Sequence, residues 1–501
     1  MNSWVLFSCA IRSWKKSRVI CKANKGLVWL VAYVCTLSLF AQNGPGFSID
    51  TYLDSAKRAC LRFKPKDSAG IIGLPFSYYS PSPGSDAMFS ELYYWDCFFT
   101  NRYGLLTSGS DQDIQMATNH VNNLIYLIQR FGYVPNANRF SMLNRSQPPL
   151  LSLMVRDIYM KTGDVNWLAS ALIALEQEYR FWMQQRSDSI KIGSRTVVLN
   201  HYGHHAQSTY LKHFFRIISQ RLQSSVDTAV VLVDLALTPG AVASSDTIAM
   251  AAHWLAEAES GWDFTPRFQG RCEDYFPVDL NAILANYEQN LAWFYGQLRL
   301  FAEDKSEKEH YTKSINFYQR ALKDRISAMN HCMWSTTAEV YLDYDKNNRV
   351  QSAVLSAASF FPVWLFPDGK EYGWLGWRSA GKLSKTASST LIQLIQDDCV
   401  MLLLKSRPMR YPTQWNFGNV WAPFQAIAIE TISTSFPADY QFWKTYVANA
   451  FRTKVEQEFQ RSGQLKEKYS IFMEQVSEEY STPPMMGWTW SVYRWIKLSQ
   501  Y

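Results

Sequence analysis

The sequence lacks the signatures of several large classes of enzyme. No glycine-rich phosphate loop opens a helix, so a nucleotide-binding fold has no support. No Gly-x-Ser-x-Gly elbow occurs, which leaves acyl-transfer hydrolysis without its nucleophile signature. Strand patterns are sparse and do not alternate with helical ones, as they would in a parallel α/β fold. These absences favour a protein built from helices.

Cysteine is scarce and scattered along the chain. After the first 41 residues the cysteines are Cys60, Cys97, Cys272, Cys332 and Cys399. Their number is odd, and no pair has the Cys-x-x-Cys spacing of zinc or redox sites. We therefore expect neither a disulfide scaffold nor a zinc site, and at most a bridge or two after export.

Acidic residues are missing from residues 1–41, which carry six basic ones: Arg12, Lys15, Lys16, Arg18, Lys22 and Lys25. Without these six the net charge of +7 falls to +1, so no basic stripe remains for nucleic acid. The apolar run 27–39 is shorter than the roughly 20 residues of a membrane span. We expect residues 1–41 to be a signal peptide cleaved near Ala41, which directs export to the periplasm or the extracellular space. An uncleaved N-terminal membrane anchor is the alternative.

Aromatic residues, in contrast, are abundant. The 501 residues include 19 Trp, 28 Tyr and 29 Phe, enough for a large core with tryptophans left over for loops. Flat aromatic side chains in loops suit the apolar faces of sugar rings. Because no linker interrupts the body, we predict one catalytic domain over residues 42–501.

Apolar residues at spacings of three and four predict helices along most of this body. The predicted helices are 50–63, 114–128 with an end at Gly132, 151–163, 168–182, 224–237, 246–259, 279–302, 306–329, 386–404, 422–431 and 440–463. Only 191–199 and 350–354 suggest strands. The prediction is an all-α fold in which paired helices close into a ring around one core.

Four of the polar clusters suit sugar recognition. Trp95 and Asp96 follow several aromatics, although a helix start with a capping aspartate explains them equally well. Asn136 and the run Arg145-Ser146-Gln147 offer donors and acceptors just before two prolines that can open a helix. Gly261 precedes Asp263, whose neighbours Trp262 and Phe264 can exclude water, and desolvation favours a protonated carboxyl. Two tryptophans also lie in the loop 414–423.

Two further groups of residues have a plain explanation. Glu467 lies between two lysines, and this spacing alone predicts a solvated surface glutamate. His201, His204 and His205 have spacing that can bind a metal, but no third ligand is evident. A polar loop is therefore the favoured interpretation of the histidine segment.

Several ordered motifs together resemble the trehalase family of glycoside hydrolases. They are Phe-x-Glu-x-Tyr-Tyr-Trp-Asp (89–96), Pro-Asn-x-Asn-Arg (135–139), Arg-Ser-Gln-Pro-Pro (145–149), Glu-Ser-Gly-Trp-Asp-Phe (259–264), Pro-Val-Asp-Leu-Asn-Ala (277–282), Gln-Trp followed by Trp-Ala-Pro (414–423) and Glu-Lys-Tyr (467–469). The matches extend over about 86–490. Chance agreement at seven ordered sites is implausible.

The resemblance implies an (α/α)6 barrel with loops that form a pocket at one end. It implies inverting hydrolysis of α,α-trehalose, with Asp263 as general acid and Glu467 as general base, and no metal or organic cofactor. The sugar-contacting positions that it implies are Trp95, Asp96, Asn136, Arg145, Ser146, Gln147, Gly261 and Glu479. The expected partner is a small disaccharide, with no nucleic acid, and we expect a monomer that meets a membrane only if residues 1–41 are retained.

The chain also departs from the family pattern. Ser90 replaces an arginine, and His201-Tyr202-Gly203-His204-His205-Ala206-Gln207 stands where an Arg-Pro-Arg-Pro-Glu motif is expected. Asn416 replaces an aspartate, and 473–478 replaces a glycine run. Each lost charged hydrogen bond is worth about 1.5–3 kcal/mol. Two alternatives therefore stay open: a relative that cleaves another small α-glycoside, and a sugar-binding protein without turnover.

Overall fold

The computed structural model describes residues 48–84, 89–223, 247–377, 381–396, 400–405, 413–471 and 483–499. Contacts group the chain into two units, residues 1–52 and residues 53–501. The expected signal peptide, the predicted helix 224–237, Cys399 and Glu479 lie outside the described residues. Among the described residues, no helix combines the length and apolar character that crossing a bilayer requires.

Helices dominate the described residues. The α-helices are Ile49–Cys60, Tyr94–Phe99, Leu106–Ser108, Asp111–Phe131, Leu151–Thr162, Val165–Gln185, Ser208–Gln223, Thr247–Ser260, Val278–Phe301, Lys305–Cys332, Phe361–Leu365, Lys385–Ile392, Ala422–Ser435, Phe442–Ser462 and Gly487–Ser499, and Thr100–Leu105 is a π-helix. Short 3₁₀ turns occur at Phe140–Met142, Pro266–Phe268, Cys272–Asp274, Ala357–Phe360, Gly369–Tyr372 and Ala438–Tyr440. The predicted all-α class is confirmed.

The strands are short and all pair antiparallel. The two-stranded pairs are Leu61–Arg62 with Tyr78–Tyr79, Ser187–Ile192 with Arg195–Asn200, Trp334–Ser335 with Val340–Tyr341, Ile395–Gln396 with Val400–Met401, and Asn419–Val420 with Tyr469–Ser470. A three-stranded sheet has the order Tyr275–Phe276, Tyr344–Asp345, Val350–Gln351. These short sheets connect loops and do not form a separate layer of the fold.

Local capping explains where several long helices begin and end. Ser110, Asp164 and Asp304 each accept a hydrogen bond from the backbone N–H three residues later, which satisfies one of the free donors of a first turn. Gly132, with φ of +90°, ends the helix Asp111–Phe131, as predicted. A residue with a Cβ would be strained in that left-handed conformation.

Within residues 53–501, six helical segments form a closed inner ring, in which each contacts the next and the last contacts the first. In order they are Tyr94–Phe99 with Thr100–Leu105, Leu151–Thr162, Val278–Phe301, Phe361–Leu365, Ala422–Ser435 and Gly487–Ser499. Every residue of Tyr94–Phe99 and of Phe361–Leu365 is buried. Helices that are apolar on all sides belong in the interior, so this ring forms the core.

Longer helices pack against the outside of the ring and keep one face in water. Val165–Gln185 and Lys305–Cys332 both contact the ring helix Val278–Phe301, and Phe442–Ser462 contacts Ala422–Ser435. In Lys305–Cys332 the buried residues begin only at Tyr318, and the first turns are exposed. These helix pairs around one core agree with the predicted ring of paired helices.

Two of the predicted elements are wrong in part. The predicted helix 386–404 ends at Ile392, and the hairpin of Ile395–Gln396 with Val400–Met401 follows it. The buried Gln425 side chain accepts from Met401 N and donates to Met401 O, which fixes this backbone as extended. The predicted strand 191–199 is a hairpin that turns at Gly193, where φ is +61°.

Two further differences concern strand length and an overlooked helix. The predicted strand 350–354 is reduced to Val350–Gln351. The helix Ser208–Gln223 was not predicted, although its apolar residues have helical spacing.

The described cysteines are buried and unbridged. Cys60, Cys97, Cys272 and Cys332 have free thiols. Burial raises the pKa of the Cys60 thiol to about 12, so this side chain behaves as a small apolar core residue.

Glu178 is a carboxyl group in the core, and its exchange tests the electrostatics of the ring. It has no exposed surface, and its oxygens accept from the Tyr94 hydroxyl at 2.7 Å and from the Tyr287 hydroxyl at 2.9 Å. Burial raises its pKa from 4.5 to about 7, so the folded state holds the proton more tightly than the unfolded state. The carboxyl therefore favours the fold below pH 4.5, and this advantage is lost as the pH rises through 7.

We expect Glu178→Gln to change the free energy of unfolding more favourably at pH 8 than at pH 5, by about 2–3 kcal/mol. Glutamine keeps the shape and has no charge, and Tyr287 can redirect its hydroxyl hydrogen to Leu175 O at 3.1 Å. Urea unfolding of both proteins at pH 5 and pH 8 measures the difference. An equal effect of the exchange at the two pH values would contradict the assignment of a raised pKa.

Candidate active site

A cavity of about 650 Å³ lies within the residue 53–501 unit, where the loops that lead into the ring helices converge. Trp95 and Trp488 lie in the first turns of two ring helices, and Gln147 and Trp415 lie in the loops that lead into two others. Glu467 follows the outer helix Phe442–Ser462. Helix N-termini carry partial positive charge, which suits a site that contains carboxylates.

The structure brings most of the predicted site residues together at this cavity. Its lining includes Trp95, Asp96, Asn136, Arg145, Gln147, Gly261, Asp263 and Glu467. Ser146 does not line it: its side chain is fully buried and donates to Val134 O at 2.6 Å. Glu479 lies outside the described residues.

Gly261 allows the segment that carries Asp263 to lie against Trp95. It follows the helix Thr247–Ser260 with φ of +78°. A Cβ atom at this position would lie 2.9 Å from the Trp95 ring, closer than ordinary van der Waals contact. Both the conformation and the close approach therefore require glycine.

The backbone on both sides of the Asp263–Phe264 bond is held by the loop that contains Gln414. Asp263 O accepts from Gln414 Nε2 at 2.9 Å, and Phe264 O accepts from Trp415 N at 3.2 Å. Backbone atoms tied at two consecutive residues restrict the directions in which the Asp263 side chain can point.

Arg267 anchors the same segment from the other side. Its buried guanidinium donates two hydrogen bonds to Asp279 and two to Asp343, at 2.8–2.9 Å. The rings of Trp262 and Phe268 flank it, each with its centroid 4.5 Å from Arg267 Cζ. One bidentate ion pair joins the Asp263 loop to Asp279 at the start of the helix Val278–Phe301, and the other joins it to Asp343.

Glu467 is buried, with 4% of its surface exposed, so the prediction of a solvated surface glutamate is wrong. Its backbone carbonyl accepts from Trp488 Nε1 at 2.9 Å. Lys468 Nζ lies 3.7 Å from the Glu467 carboxylate and donates to Gln414 Oε1 at 3.0 Å. Gln414 thus contacts the segments of both Asp263 and Glu467.

Strand pairing joins the Gln414 loop to the Glu467 segment. Tyr469–Ser470 pairs with Asn419–Val420, so Glu467 lies two residues before a fixed strand. Local sequence does not reveal this arrangement, because the lysines on either side of Glu467 are typical of an exposed turn.

Tryptophans form one wall of the cavity. Trp95 meets Trp415 at a centroid distance of 5.6 Å and Trp488 edge to face at 6.0 Å. Behind them, Trp415 stacks on Trp421 at 3.7 Å. The wall offers flat apolar faces of the kind on which sugar rings pack.

Four carboxyl groups of the described residues line the cavity, those of Glu91, Asp96, Asp263 and Glu467, and two of them contribute to a raised pKa at Asp96. The pKa of Asp96 is well above its usual range, chiefly because of burial, and then because of the negative charges of Glu467 and, less strongly, Asp263. A protonated Asp96 can donate a hydrogen bond as well as accept one.

Two arginines also line the cavity, and they differ in their hydrogen-bond partners. Arg139 is paired with Glu91, to which its Nε donates at 2.9 Å. Arg145 donates from Nη1 to Asn144 Oδ1 at 2.9 Å, while its buried Nε has no hydrogen-bond partner among the described residues. A ligand hydroxyl or ring oxygen could satisfy this donor.

The histidine segment packs behind the cavity. Buried Glu259 accepts from Arg186 Nε and Gly203 N at 2.7 Å and from Ser146 N at 2.9 Å. Partial desolvation and the positive charge of Arg186 lower the pKa of the nearby His205 to about 4, so this ring is neutral at pH 7. Among the residues that the structure covers, no three His, Cys, Asp or Glu side chains form a group that could hold a metal ion.

Sequence reasoning missed one side of the cavity. Tyr210, Phe214, Ile217 and Ile218 line it from the helix Ser208–Gln223. Their spacing of four, three and one residues places them on one helix face, and this signal was present in the sequence.

Comparison with known proteins gives a consistent result. A family model described as Trehalase matches residues 82–499. The periplasmic trehalase of Salmonella dublin is 28% identical over 440 residues, which cover 84% of this chain and 67% of that protein. The trehalase of Oryctolagus cuniculus is 29% identical over 423 residues, or 80% and 64% of the two chains. The chain thus spans about two thirds of the length of these relatives.

Among solved structures, the neutral trehalase Nth1 from Saccharomyces cerevisiae is similar in fold. The TM-score is 0.62 at 22% identity, and the match covers 87% of this chain and 76% of that one. The likeness shows that the closed ring is an (α/α)6 barrel, which confirms the predicted fold.

Proposed function

Because the chain belongs to the trehalase family, and is therefore a glycosidase, we propose that it hydrolyses α,α-trehalose to two glucose molecules with inversion. Asp263 acts as the general acid and Glu467 as the general base. The observation that carries the proposal is that two distant segments place both carboxyl groups at one tryptophan-walled cavity.

The reaction requires two carboxyl groups on opposite sides of the scissile bond, about 6.5–9.5 Å apart in inverting enzymes. Asp263 gives its proton to the glycosidic oxygen as the bond from the anomeric carbon to that oxygen breaks. Glu467 takes a proton from the water that forms the new bond on the opposite face. Asp263 ends ionised and Glu467 ends protonated, and exchange with solvent restores both.

The other predicted residues hold the sugar. Trp95 supplies an apolar face, Asp96 offers a hydrogen-bond acceptor to hydroxyl groups, and the amide nitrogen of Gln147 offers a donor, since its oxygen accepts from Trp95 N. Arg145 donates from the Nε, which has no hydrogen-bond partner in the described part of the chain. Asn136 donates to Ala258 O at 3.3 Å and so positions the backbone that leads to Gly261.

The predicted contact Ser146 does not reach the cavity and instead holds its neighbours in place. Its backbone N–H donates to Glu259 and its hydroxyl donates to Val134 O, which fixes Arg145 and Gln147. Glu479 remains a proposed sugar contact that rests on the resemblance alone.

The anomeric form of the fresh product tests the reaction class. Hydrolysis of α,α-trehalose with inversion must first give one β-glucose and one α-glucose, because the attacked sugar inverts and the leaving sugar keeps its configuration. Proton NMR during the first minutes of turnover measures the ratio. Two α-glucose molecules at first would refute inversion, and no glucose at all would refute the proposed substrate.

Location and assembly are also proposals. Similarity to periplasmic trehalases supports export, which agrees with a signal peptide at residues 1–41. We expect the exported protein to act as a monomer on a soluble disaccharide.

One observation favours a second function. The helix Ser208–Gln223 gives the cavity an apolar wall, and it directly follows residues 201–207, where the sequence departs from the family pattern. A relative that cleaves another small α-glycoside is therefore the alternative to a trehalase.

A further inference from the structure

The helix Ser208–Gln223 presents an apolar face to the cavity. Tyr210, Phe214, Ile217 and Ile218 line it, and Tyr210 stacks on Phe214 at a centroid distance of 6.0 Å. Phe214 and Ile217 keep part of their surface exposed, so a bound ligand can cover it. This surface has the chemistry of an apolar binding site.

The basic side chains Lys212 and Arg216 of this helix are exposed and do not line the cavity. Arg216 instead donates to the exposed His213 ring at 3.2 Å. The helix therefore offers the cavity neither of these cationic donors for sugar hydroxyl groups.

The apolar face lies next to the proposed general acid. Phe264, which follows Asp263, also lines the cavity and meets the Phe214 ring at 6.4 Å. Phe264 and Ile218 belong to one buried apolar cluster. The wall beside Asp263 is thus continuous with the helix Ser208–Gln223.

Polar side chains line the cavity from other segments. Gln147 accepts from Trp95 N at 3.0 Å, which places it beside Asp96 at the start of the helix Tyr94–Phe99. The helix Ser208–Gln223 and Phe264 thus supply an apolar wall next to Asp263, while hydrogen-bonding groups enter the lining from other elements.

A general acid must contact the oxygen of the departing group, so that group lies on the Asp263 side. We infer that the subsite for the leaving group accepts apolar, and above all aromatic, alcohols, so that the substrate class includes small α-glucosides with such an aglycone. This inference rests on the proposed glycosidase function and its acid. It extends that function from a disaccharide to glucosides whose leaving group packs on Phe214.

Benzyl α-glucoside and methyl α-glucoside test the subsite. Both release simple primary alcohols, so they differ mainly in the ring that packs on the apolar wall. Burial of a phenyl ring predicts that kcat/KM for the benzyl compound exceeds that for the methyl compound by about 10- to 100-fold. Trehalose is assayed with the same full-length protein.

Phe214→Ala should lower the benzyl-to-methyl ratio about tenfold, because the exchange removes the ring that meets the aglycone. Phe215→Ala is the matched control on the same helix. Phe215 stacks on Trp254 at 5.4 Å and does not line the cavity, so its loss should leave the ratio unchanged. A ratio of two substrates does not depend on how much of a variant is folded.

The outcomes separate the two proposals. Turnover of trehalose or methyl α-glucoside without a benzyl preference overturns the apolar subsite alone. A benzyl preference that Phe214→Ala leaves intact, or that Phe215→Ala abolishes equally, overturns the assignment to this wall. No turnover of any of the three compounds overturns the proposed function and the inference with it.

Discussion

Asp263→Asn should lower kcat on trehalose by about 10²–10⁴-fold, because general acid catalysis supplies a factor of this size. Glu467→Gln should cause a loss of the same order, since water then lacks its base. Both replacements keep the shape of the side chain. Initial rates of glucose release measure the loss, and circular dichroism checks that the fold is intact.

α-Glucosyl fluoride distinguishes the two roles. Fluoride departs without protonation, so Asp263→Asn should keep most of the wild-type rate on this substrate. Glu467→Gln should stay slow, because the attacking water still needs a base. Glu273→Gln, which removes a carboxylate outside the cavity lining, should keep full activity on both substrates. Equal losses of the two variants on the fluoride would refute the assigned roles.

Arg267→Met should lower the free energy of unfolding by about 3–5 kcal/mol, because it leaves buried carboxylates without their cation. Asp279 and Asp343 are each at most 2% exposed, and Arg267 is fully buried between them. Methionine retains some of the volume but none of the four hydrogen bonds. Urea unfolding curves measure the change.

Arg461→Met is the matched control for this exchange. Arg461 also forms a two-bond ion pair, with Glu458, but its side chain is 71% exposed. Exposed pairs contribute about 0–1 kcal/mol, so the variant should unfold almost like the wild type. Similar losses in both variants would show that burial of the Arg267 pairs is not the cause.

The helical framework could be predicted because its long helices carry their own signals. The helix Asp111–Phe131 has an apolar face, a serine cap and a terminal glycine, all readable within the segment. The same local signal misled the prediction at 386–404. There the extended backbone of Met401 is fixed by Gln425, a residue remote in sequence.

The candidate site likewise contains residues that the local sequence reveals and residues that only tertiary contacts bring into place. Asp263 stands out locally because aromatic neighbours flank it. Glu467 does not, since two lysines flank it and its burial arises from tertiary packing of its segment against Trp488 and the loop 414–423. The apolar wall carried a readable helical pattern, and its position beside Asp263 emerges only from the tertiary fold.

The closed ring also has a consequence for biosynthesis. Its last helix, Gly487–Ser499, contacts its first, Tyr94–Phe99, so a chain that emerges N-terminus first cannot close the ring until residue 499 is available. At about 5–20 residues per second, the earlier helices wait on the order of tens of seconds with apolar surface uncovered. During that interval they are natural clients for chaperones that hold unfolded chains. Trp488 arrives with the final helix, so the cavity is completed in the same step that ends this exposure.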